Sequence, residues 1–354
     1  MRYPMIIRSV WFDENTREVC WLNTLKLPFS EEVICSKDPV RVANAIKNME
    51  IRGAPAIGVA AALAIAAYAI ELSHKPPDDF YSEINRAIHT LLHTRPTAYN
   101  LFYAIARVQR VIEVGIKNNY PIELIVDKTV NEALNIMRED IESNIKIGEY
   151  GSQLIPDNAT ILTHCNAGAL ATSAYGTALA VIRMAWYSGK KIKVIATETR
   201  PLLQGARLTV YELMKEGIPV KLITDNMAGY LMRRKLIDLV IVGADRITKD
   251  GYVVNKIGTY MHALAAKRNN IPFYVAAPTS TIDIERTIDQ IIIEERDPNE
   301  VKYIVDKLIT LKEVDAINYA FDITDPDLVT AIITEKGVIR PPYAENIEKL
   351  MKTR

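Results

Sequence analysis

Short apolar runs alternate with amphipathic segments along the chain from residue 158 onward. A short apolar run is typical of a strand buried on both faces, and the residues that follow each run have helical spacing. The alternation predicts an α/β domain with a doubly wound, mostly parallel, Rossmann-like sheet. The predicted strands are 160–164, 192–197, 220–224, 239–242, 273–276 and 320–323. The predicted helices are 168–187, 204–216, 227–236, 258–269 and 300–309.

The first third of the chain has a different pattern, which predicts a mainly helical domain carrying a β-hairpin. Residues 10–12 and 18–23 alternate in polarity around a polar turn. After Pro121 the spacing indicates one long amphipathic helix over 122–154. Four further helices are predicted. One begins at Pro39, two cover 54–70 and 81–93, and the fourth restarts after residue 94 and reaches residue 117. The predicted domains are the helical domain, the connecting helix and the Rossmann-like domain, at 1–121, 122–157 and 158–354.

Composition and charge exclude several functional classes. Lys plus Arg and Asp plus Glu number 43 each, so the net charge is zero and gives no support for binding to nucleic acid or to an anionic membrane. Three cysteines are too few and too scattered for a disulfide framework or a zinc site. The most apolar segment, 54–70, is somewhat short for a membrane span and suits a buried helix better. With no signal peptide at the start, we expect a cytoplasmic protein.

The end of the first predicted strand carries reactive side chains. The run 160–163 is followed by His164, Cys165 and Asn166, and we expect a helix to begin at Ala167. The N–H groups of a helix start suit an anion, and they lower the pKa of a nearby thiol. The alternative is a buried, inert cysteine, which is the more common fate of an unpaired cysteine.

Other strand ends carry polar residues as well, and the carboxyl ends of parallel strands share one edge of a sheet. Asp225 is expected to be a cap or turn residue. Asp245 follows the apolar run 239–244 and is expected to be half-buried, with a raised pKa that suits a general acid. The alternative for Asp245 is a structural carboxylate paired with Arg246. The first strand–helix turn lacks the glycine pattern of dinucleotide-binding proteins, so no such cofactor is indicated.

Two arginines in the N-terminal domain are candidate anion ligands. Arg52 precedes a Gly-Ala-Pro helix start, and Arg95 lies in the turn before another helix. A plain turn and a solvated surface arginine are the respective alternatives.

Nearly the whole chain, from about residue 5 to 345, resembles the methylthioribose-1-phosphate isomerases. The same superfamily contains ribose-1,5-bisphosphate isomerase and regulatory subunits of a translation-initiation guanine-exchange factor. The matching motifs are IRGAPAIG (51–58), TRPTAYNL (94–101), THCNAG (163–168), ETRPLLQGARLT (198–209), GADRI (243–247), NKIGT (255–259), IEERDP (293–298), FDIT (321–324) and IITEKGVIRP (332–341). Small departures at 281–283 and 319–320 lie outside the residues assigned to the chemistry.

The resemblance implies that Cys165 and Asp245 are the catalytic pair. The residues it implies as substrate contacts are Arg52, Gly53, Ala54, Arg95, Gln204, Asn255 and Lys256. It implies no metal and no cofactor, a sugar phosphate as the small-molecule partner, and a homodimer. The helical N-terminal domain is expected to be a lid over the site.

The implied reaction converts 5-methylthioribose 1-phosphate into 5-methylthioribulose 1-phosphate in methionine salvage. Because the anomeric oxygen is esterified, the sugar has no free aldehyde form. We expect Asp245 to protonate the ring oxygen and a Cys165 thiolate to remove the C2 proton. A hydride shift from C2 to C1 remains an open alternative. Arg52, Arg95 and Lys256 are the candidates for binding phosphate.

Two other functions remain open on the sequence. A ribose-1,5-bisphosphate isomerase would use the same pair, with a cationic site for the second phosphate instead of an apolar slot. Trp11, Phe12, Trp21 and Leu22 are candidates for such a slot, although core packing is the commoner role of such residues; the IEERDP motif favours the methylthioribose branch. A non-catalytic exchange-factor subunit is the third possibility, and the presence of both Cys165 and Asp245 argues against it.

Overall fold

A computed structural model describes residues 3–95 and 99–352 of the chain. The chain forms two compact units. The N-terminal unit comprises Ile7–Asn144 and Ala169–Gly176, and the C-terminal unit comprises Met1–Ile6, Ile145–Gly168 and Thr177–Arg354. The short segment Ala169–Gly176 therefore belongs to the N-terminal unit although its neighbours on both sides belong to the other.

The N-terminal unit contains the predicted hairpin and helices. The strands β1 (Val10–Asp13), β2 (Glu18–Leu22) and β3 (Val33–Ser36) form an antiparallel sheet in that order. The Asp13 carboxylate accepts from the N–H groups of Asn15 and Thr16 and so shapes the polar turn of the hairpin. The helices are α1 (Pro39–Lys47), α2 (Ala54–Glu71), α3 (Pro77–Leu92), α4 (Tyr99–Lys117) and α5 (Ile122–Ser152). The third strand was not predicted.

Helix α2 is the centre of the N-terminal core. Its 18 residues are apolar on every side, and by length and composition it is able to cross a membrane. In the structure 78% of it is buried, against α1, α3, α4 and the small sheet. Burial on nearly every side explains the absence of a polar face. The interpretation of this segment as a buried helix is confirmed.

The C-terminal unit is built on a seven-stranded sheet. The first strands of the unit are β4 (Thr160–Thr163), β5 (Lys193–Thr197), β6 (Val220–Ile223), β7 (Leu239–Val242), β8 (Arg246–Thr248), β9 (Val253–Lys256) and β10 (Phe273–Ala276). They are followed by β11 (Ile282–Asp283), β12 (Tyr303–Ile304), β13 (Lys307–Leu308), β14 (Phe321–Thr324), β15 (Ala331–Thr334) and β16 (Gly337–Ile339). The seven strands of the large sheet are β4 to β7, β10, β15 and β16. The helices are α6 (Ala178–Tyr187), α7 (Val210–Lys215), α8 (Ala228–Arg233), α9 (Thr259–Arg268), α10 (Asn299–Lys302) and α11 (Tyr343–Lys352).

The strand order of the large sheet is β16-β15-β10-β7-β4-β5-β6, and only the pairing of β15 with the edge strand β16 is antiparallel. Counted along the chain, the parallel strands follow the order 3-2-1-4-5-6 of doubly wound folds. Adjacent residues of β4 enter different cores, Ile161 with α6 and α7 and Leu162 with α8 and α9. Helices thus cover both faces, and the predicted fold class is confirmed.

The second, smaller sheet was not predicted. It has the order β11-β8-β9-β14, and residues 320–323, expected in the parallel sheet, instead form β14, which pairs antiparallel with β9. A strand of the parallel sheet was missed in its place, at Ala331–Thr334. The predicted helix 300–309 ends at Lys302, because the chain turns back at Val305, whose φ is 55°, and pairs β12 with β13.

The predicted helix 168–187 is wrong over its first half, since the regular helix begins only at Ala178. Residues 169–176 contain one short 3₁₀ turn and are held by the N-terminal unit. The Ser173 N–H donates to Asp140 at 2.7 Å, and the Asn144 amide donates to the carbonyl of Ala174 at 3.1 Å. Alanine-rich composition favoured a helix, but these tertiary contacts override the propensity.

A disulfide joins Cys20 of β2 to Cys35 of β3, which are directly paired in the antiparallel register. The spacing of the three cysteines predicts no disulfide framework, and this single bond corrects that expectation. The bond can be predicted only when β3 and its pairing with β2 are known, because a sequence separation of 15 residues does not show that Cys20 and Cys35 lie opposite each other.

Candidate active site

The two residues assigned to catalysis follow the two strands at which the winding of the sheet reverses. Strands β4 and β7 are hydrogen-bonded neighbours, with Leu162 opposite Val240. From β4 the chain continues to β5 and β6 on one side, and it then returns to β7 on the other side of β4. Cys165 lies just beyond the carboxyl end of β4, and Asp245 just beyond that of β7. In open α/β sheets, ligands bind in the crevice at this switch point.

The turn at Cys165 has an unusual backbone that is fixed by two threonines. Cys165 is buried, with a φ of 61°, in the left-handed region that residues with a side chain seldom adopt. Its N–H donates to Thr199 Oγ1 at 2.9 Å. Its carbonyl accepts from Thr209 Oγ1 at 2.6 Å. The side chain of the next residue, Asn166, donates to Thr209 Oγ1 at 3.2 Å and to the Glu212 carboxylate at 2.9 Å.

The expectation that a helix starts directly after Cys165 is wrong, since α6 begins at Ala178. A helix N-terminus beside the sulfur was the reason for expecting a lowered thiol pKa, and that reason no longer applies. The small residues of the turn have another function, which is close packing. A Cβ at Gly168 would lie 2.4 Å from both oxygens of Glu212, and one at Gly243 would lie 2.7 Å from the Cβ of Ala167. Glycine at position 243 therefore lets the turns after β4 and β7 pack together.

Two buried histidines beside the turn were not assigned a role from the sequence. Burial lowers the pKa of His164 to about 4 and that of His262 to about 3, so both rings are neutral at pH 7. His164 Nε2 donates to the carbonyl of Ile257 at 2.9 Å, which leaves Nδ1 to accept from Thr197 Oγ1 at 2.6 Å. The Asp225 carboxylate, 3.9 Å from Nδ1, therefore makes no ion pair with this ring near neutrality. His164 joins the ends of β4 and β5 to the loop after β9.

Asp225 has the structural role that was expected for it. Its two carboxylate oxygens accept from the N–H groups of Thr199 and Arg200, each at 2.7 Å. Thr199 is a second residue at positive φ, with a value of 64°. Asp225 thus holds the turn after β5 in the conformation that presents Thr199 to Cys165.

Asp245 is half-buried, as expected, and is the last residue before β8. Its N–H donates to the carbonyl of Val254 at 2.9 Å, which fixes the main chain against β9. The neighbouring Arg246 forms a buried ion pair with Asp283, with Nη1 2.9 Å from Oδ2. The assignment of Asp245 as a structural partner of Arg246 stays an alternative prediction, since an arginine can bind two carboxylates. The raised pKa of Asp245 stays a prediction.

The predicted substrate contacts of the C-terminal unit are buried polar side chains. Gln204, Asn255 and Lys256 are exposed by only 6%, 5% and 7%. Among the described residues, Oε1 of Gln204 is a buried oxygen with no hydrogen-bond partner, which is rare in folded proteins. The Lys256 ammonium lies 4.5 Å from the centre of the Phe321 ring. The Asn255 amide donates to Thr259 Oγ1 at 3.0 Å.

The other predicted substrate contacts belong to the N-terminal unit. Gly53, with a φ of 93°, is the N-cap of α2 and supplies no side-chain cap, and Ala54 begins the helix. A Cβ at Gly53 would lie 2.4 Å from the backbone of Ala171, so only glycine fits. Arg52 and Arg95 are half-buried. The adjoining residues 96–98, part of the second motif, lie outside the described residues.

Comparison with known proteins assigns the chain to a family. The model of the initiation factor 2 subunit family matches residues 50–341. The chain belongs to this family. Among its relatives, a methylthioribose-1-phosphate isomerase of Thermotoga maritima is 55% identical over 332 residues, which cover 94% of this chain and 95% of that protein. This identity places the chain with the isomerases of the family, which are aldose–ketose isomerases.

Solved structures of the family resemble the chain over almost its full length. The crystal structure of 5-methylthioribose 1-phosphate isomerase from Pyrococcus horikoshii OT3 superposes with a TM-score of 0.91 at 41% identity, covering 98% of this chain and 96% of that one. A structure described as the delta subunit of translation initiation factor eIF-2B from A. fulgidus gives a TM-score of 0.86 at 45% identity, covering 98% and 99%. The fold is thus shared by members of the family that carry the names of two different functions.

Proposed function

We propose that the protein converts 5-methylthioribose 1-phosphate into 5-methylthioribulose 1-phosphate, as a step of methionine salvage. The observation that carries the proposal is the placement of Cys165 and Asp245. They follow adjacent parallel strands at the switch point of the sheet, where ligands of such folds bind. An aldose–ketose isomerisation requires an acid and a base, and the half-buried carboxyl and the thiol can supply them in that order.

In the proposed mechanism Asp245 is the general acid and Cys165 the general base. Asp245 protonates the ring oxygen, so the C1–O bond of the ring breaks and C1 gains cationic character. The Cys165 thiolate then takes the C2 proton, and the electron pair of that bond forms the C1–C2 double bond of an enol phosphate. Reprotonation at C1 and loss of the hydroxyl proton at O2 give the ketose. In the alternative route, hydrogen moves from C2 to C1 with its electron pair.

Buried polar groups around this edge support the binding roles. Gln204 Oε1 is an unsatisfied acceptor, and a hydroxyl of the sugar is the donor that would satisfy it. We assign Lys256, Arg52 and Arg95 to the phosphate, since cationic side chains bind phosphate by charge-assisted hydrogen bonds. Asn255, Gly53 and Ala54 are assigned to the substrate on the same motifs. We further propose that the protein is cytoplasmic and forms a homodimer. Light scattering of the purified protein tests the dimer, and cell fractionation tests the location.

The decisive experiment compares turnover of 5-methylthioribose 1-phosphate and ribose 1,5-bisphosphate by the wild type, Cys165→Ser and Asp245→Asn. We expect the methylthio sugar to be preferred and both variants to lose at least about 100-fold in kcat while remaining folded. Substrate deuterated at C2 separates the two routes, because proton transfer through Cys165 exchanges the label with solvent whereas a hydride shift retains it at C1. Preference for the bisphosphate would keep the catalytic pair but replace the substrate.

A second candidate function follows from the A. fulgidus structure, whose description names a translation initiation factor subunit. In that function the protein would act through contacts with other proteins, and Cys165 would have no chemical role. Absence of turnover of both sugars by the wild type would favour it over the isomerase. A Cys165→Ser variant that keeps full isomerase activity would instead refute the mechanism alone.

A further inference from the structure

Cys165 is held in a strained conformation by groups that the proposed mechanism does not use. A left-handed conformation at a residue other than glycine is unfavourable and persists only where the surroundings fix it. Two hydroxyl groups bond the main chain of Cys165, one on each side of the residue. Thr199 Oγ1 accepts from its N–H at 2.9 Å, and Thr209 Oγ1 donates to its carbonyl at 2.6 Å.

The direction of the Thr209 hydrogen bond is fixed by its neighbours. A carbonyl oxygen only accepts, so the Thr209 hydroxyl proton points at Cys165. The same oxygen accepts from the Asn166 amide at 3.2 Å, which leaves the hydroxyl satisfied as donor and as acceptor. Thr199 and Thr209 are both fully buried, so water does not replace either hydroxyl.

An irregular helix brings Thr209 to this position. Residues Gly205–Thr209 form a π-helix, a rare element that is frequent at functional sites. At its first residue, a Cβ on Gly205 would lie 1.8 Å from the carbonyl oxygen of Thr197. Glycine at 205 therefore lets the helix pack onto the end of β5, and Thr209 reaches Cys165 from the other end of the π-helix.

We propose that Thr199 and Thr209 are positioning residues for Cys165, which hold its main chain from both sides through their hydroxyl groups. The proposal rests on the proposed function of Cys165 as the base. It assigns the hydroxyl groups, and not the methyl groups, of the two threonines to the task. A threonine that only packs would tolerate valine, which has the same shape.

The test compares Thr209→Val and Thr199→Val, which remove the hydroxyl, with Thr209→Ser and Thr199→Ser, which keep it. We expect each valine variant to lose about 10- to 100-fold in kcat with KM within about threefold, since a buried hydrogen bond is lost and its partner left unsatisfied. The serine variants should stay within about threefold of the wild type. The matched control is Thr334→Val, which removes another buried hydroxyl that bonds a carbonyl, 3.0 Å from Gly337 O, at the end of β15. It should lower stability and leave kcat unchanged.

A second readout does not depend on turnover. Under non-reducing conditions Cys165 is the one cysteine outside the disulfide, and only 8% of it is exposed. We expect iodoacetamide to alkylate it at least about fivefold faster in the valine variants, because a released turn exposes the thiol. Valine variants with wild-type kcat and alkylation rate would overturn the proposal, as would serine variants impaired as much as valine. If the wild type turns over neither sugar but the alkylation pattern holds, the proposed function fails and the positioning role stands.

Discussion

The buried charges behind the Cys165 turn give a sharp prediction for stability. Arg183 of α6 is 2% exposed, and its guanidinium binds Glu212 at 2.7 Å and Glu216 at 2.6 Å. Tyr187 also donates to Glu216, at 2.8 Å. The Glu212 carboxylate in turn accepts from the Asn166 amide. Replacing Arg183→Met keeps much of the side-chain volume but removes the cation that these two carboxylates share.

The magnitude follows from what is left behind. Removing one partner of a buried ion pair typically costs about 3–5 kcal/mol, because the remaining charge is buried without compensation. For a unit of this size each kcal/mol lowers Tm by about 2–4 °C, so we expect a decrease of about 6–20 °C.

Urea unfolding and calorimetry at pH 7 measure this effect. Tyr187→Phe is the matched control, because it removes one hydrogen bond to Glu216 and no charge, and it should cost only about 1 kcal/mol. A double variant, Arg183→Met with Glu212→Gln, should recover part of the loss by removing one stranded charge. A loss below about 1 kcal/mol for Arg183→Met would refute the reasoning, because the carboxylates would then be solvated.

Three further predictions concern the N-terminal unit. Gly53→Ala should destabilise it by about 2–4 kcal/mol in urea unfolding, since φ is 93° and the new Cβ would lie 2.4 Å from the Ala171 backbone. Burial raises the pKa of Asp140 to about 6 from 3.8, so the native state holds this proton more tightly than the unfolded chain, and the wild type loses stability as pH rises between these values. Asp140→Asn lacks this loss and should gain, relative to wild type, about 2 kcal/mol between pH 4 and pH 6. Thiol titration of the denatured chain should count one thiol before reduction and three after it, and reducing Cys20–Cys35 should cost about 3 kcal/mol for a loop of 15 residues.

Each of these has an outcome that contradicts it. A Gly53→Ala protein as stable as wild type would mean that the start of α2 lies further from Ala171 than the structure places it. A constant difference between Asp140→Asn and wild type across pH 4–7 would mean that the carboxyl is hydrated. Three thiols before reduction would mean that Cys20 and Cys35 are unpaired in the isolated protein.

The inner strands β4, β7 and β10 of the parallel sheet were predictable because they are buried almost throughout and therefore appear as continuous apolar runs, although β15, which is equally apolar, was missed. The position of Asp245 was predictable for a related reason. The first polar residues after a buried run emerge at the carboxyl edge of the sheet. The prediction of a half-buried carboxyl after 239–244 needed no knowledge of contacts distant in the sequence, and the structure confirms it.

What the sequence did not reveal depends on partners far along the chain. Residues 169–176 have a helical composition, yet Asp140 and Asn144 bind them in an irregular conformation. Strand β14 was correctly placed to within a residue, but its partner β9 was unknown, so it was assigned to the wrong sheet. The roles of Thr199 and Thr209 were hidden for the same reason. A threonine in the sequence does not indicate which residue its hydroxyl will bond, and only the fold brings these two to Cys165.

The backbone itself bears on the choice between enzyme and scaffold. Several residues at positive φ in the described part of the chain are asparagines in turns, such as Asn119 and Asn270, where this conformation is tolerated. Cys165 and Thr199 are not tolerant types, and Thr is β-branched. Both are buried at the carboxyl ends of neighbouring strands, unlike Val305, which has the same conformation in an exposed turn. The strain is understandable if the position of the thiol matters for chemistry, as an isomerase requires and a scaffold does not.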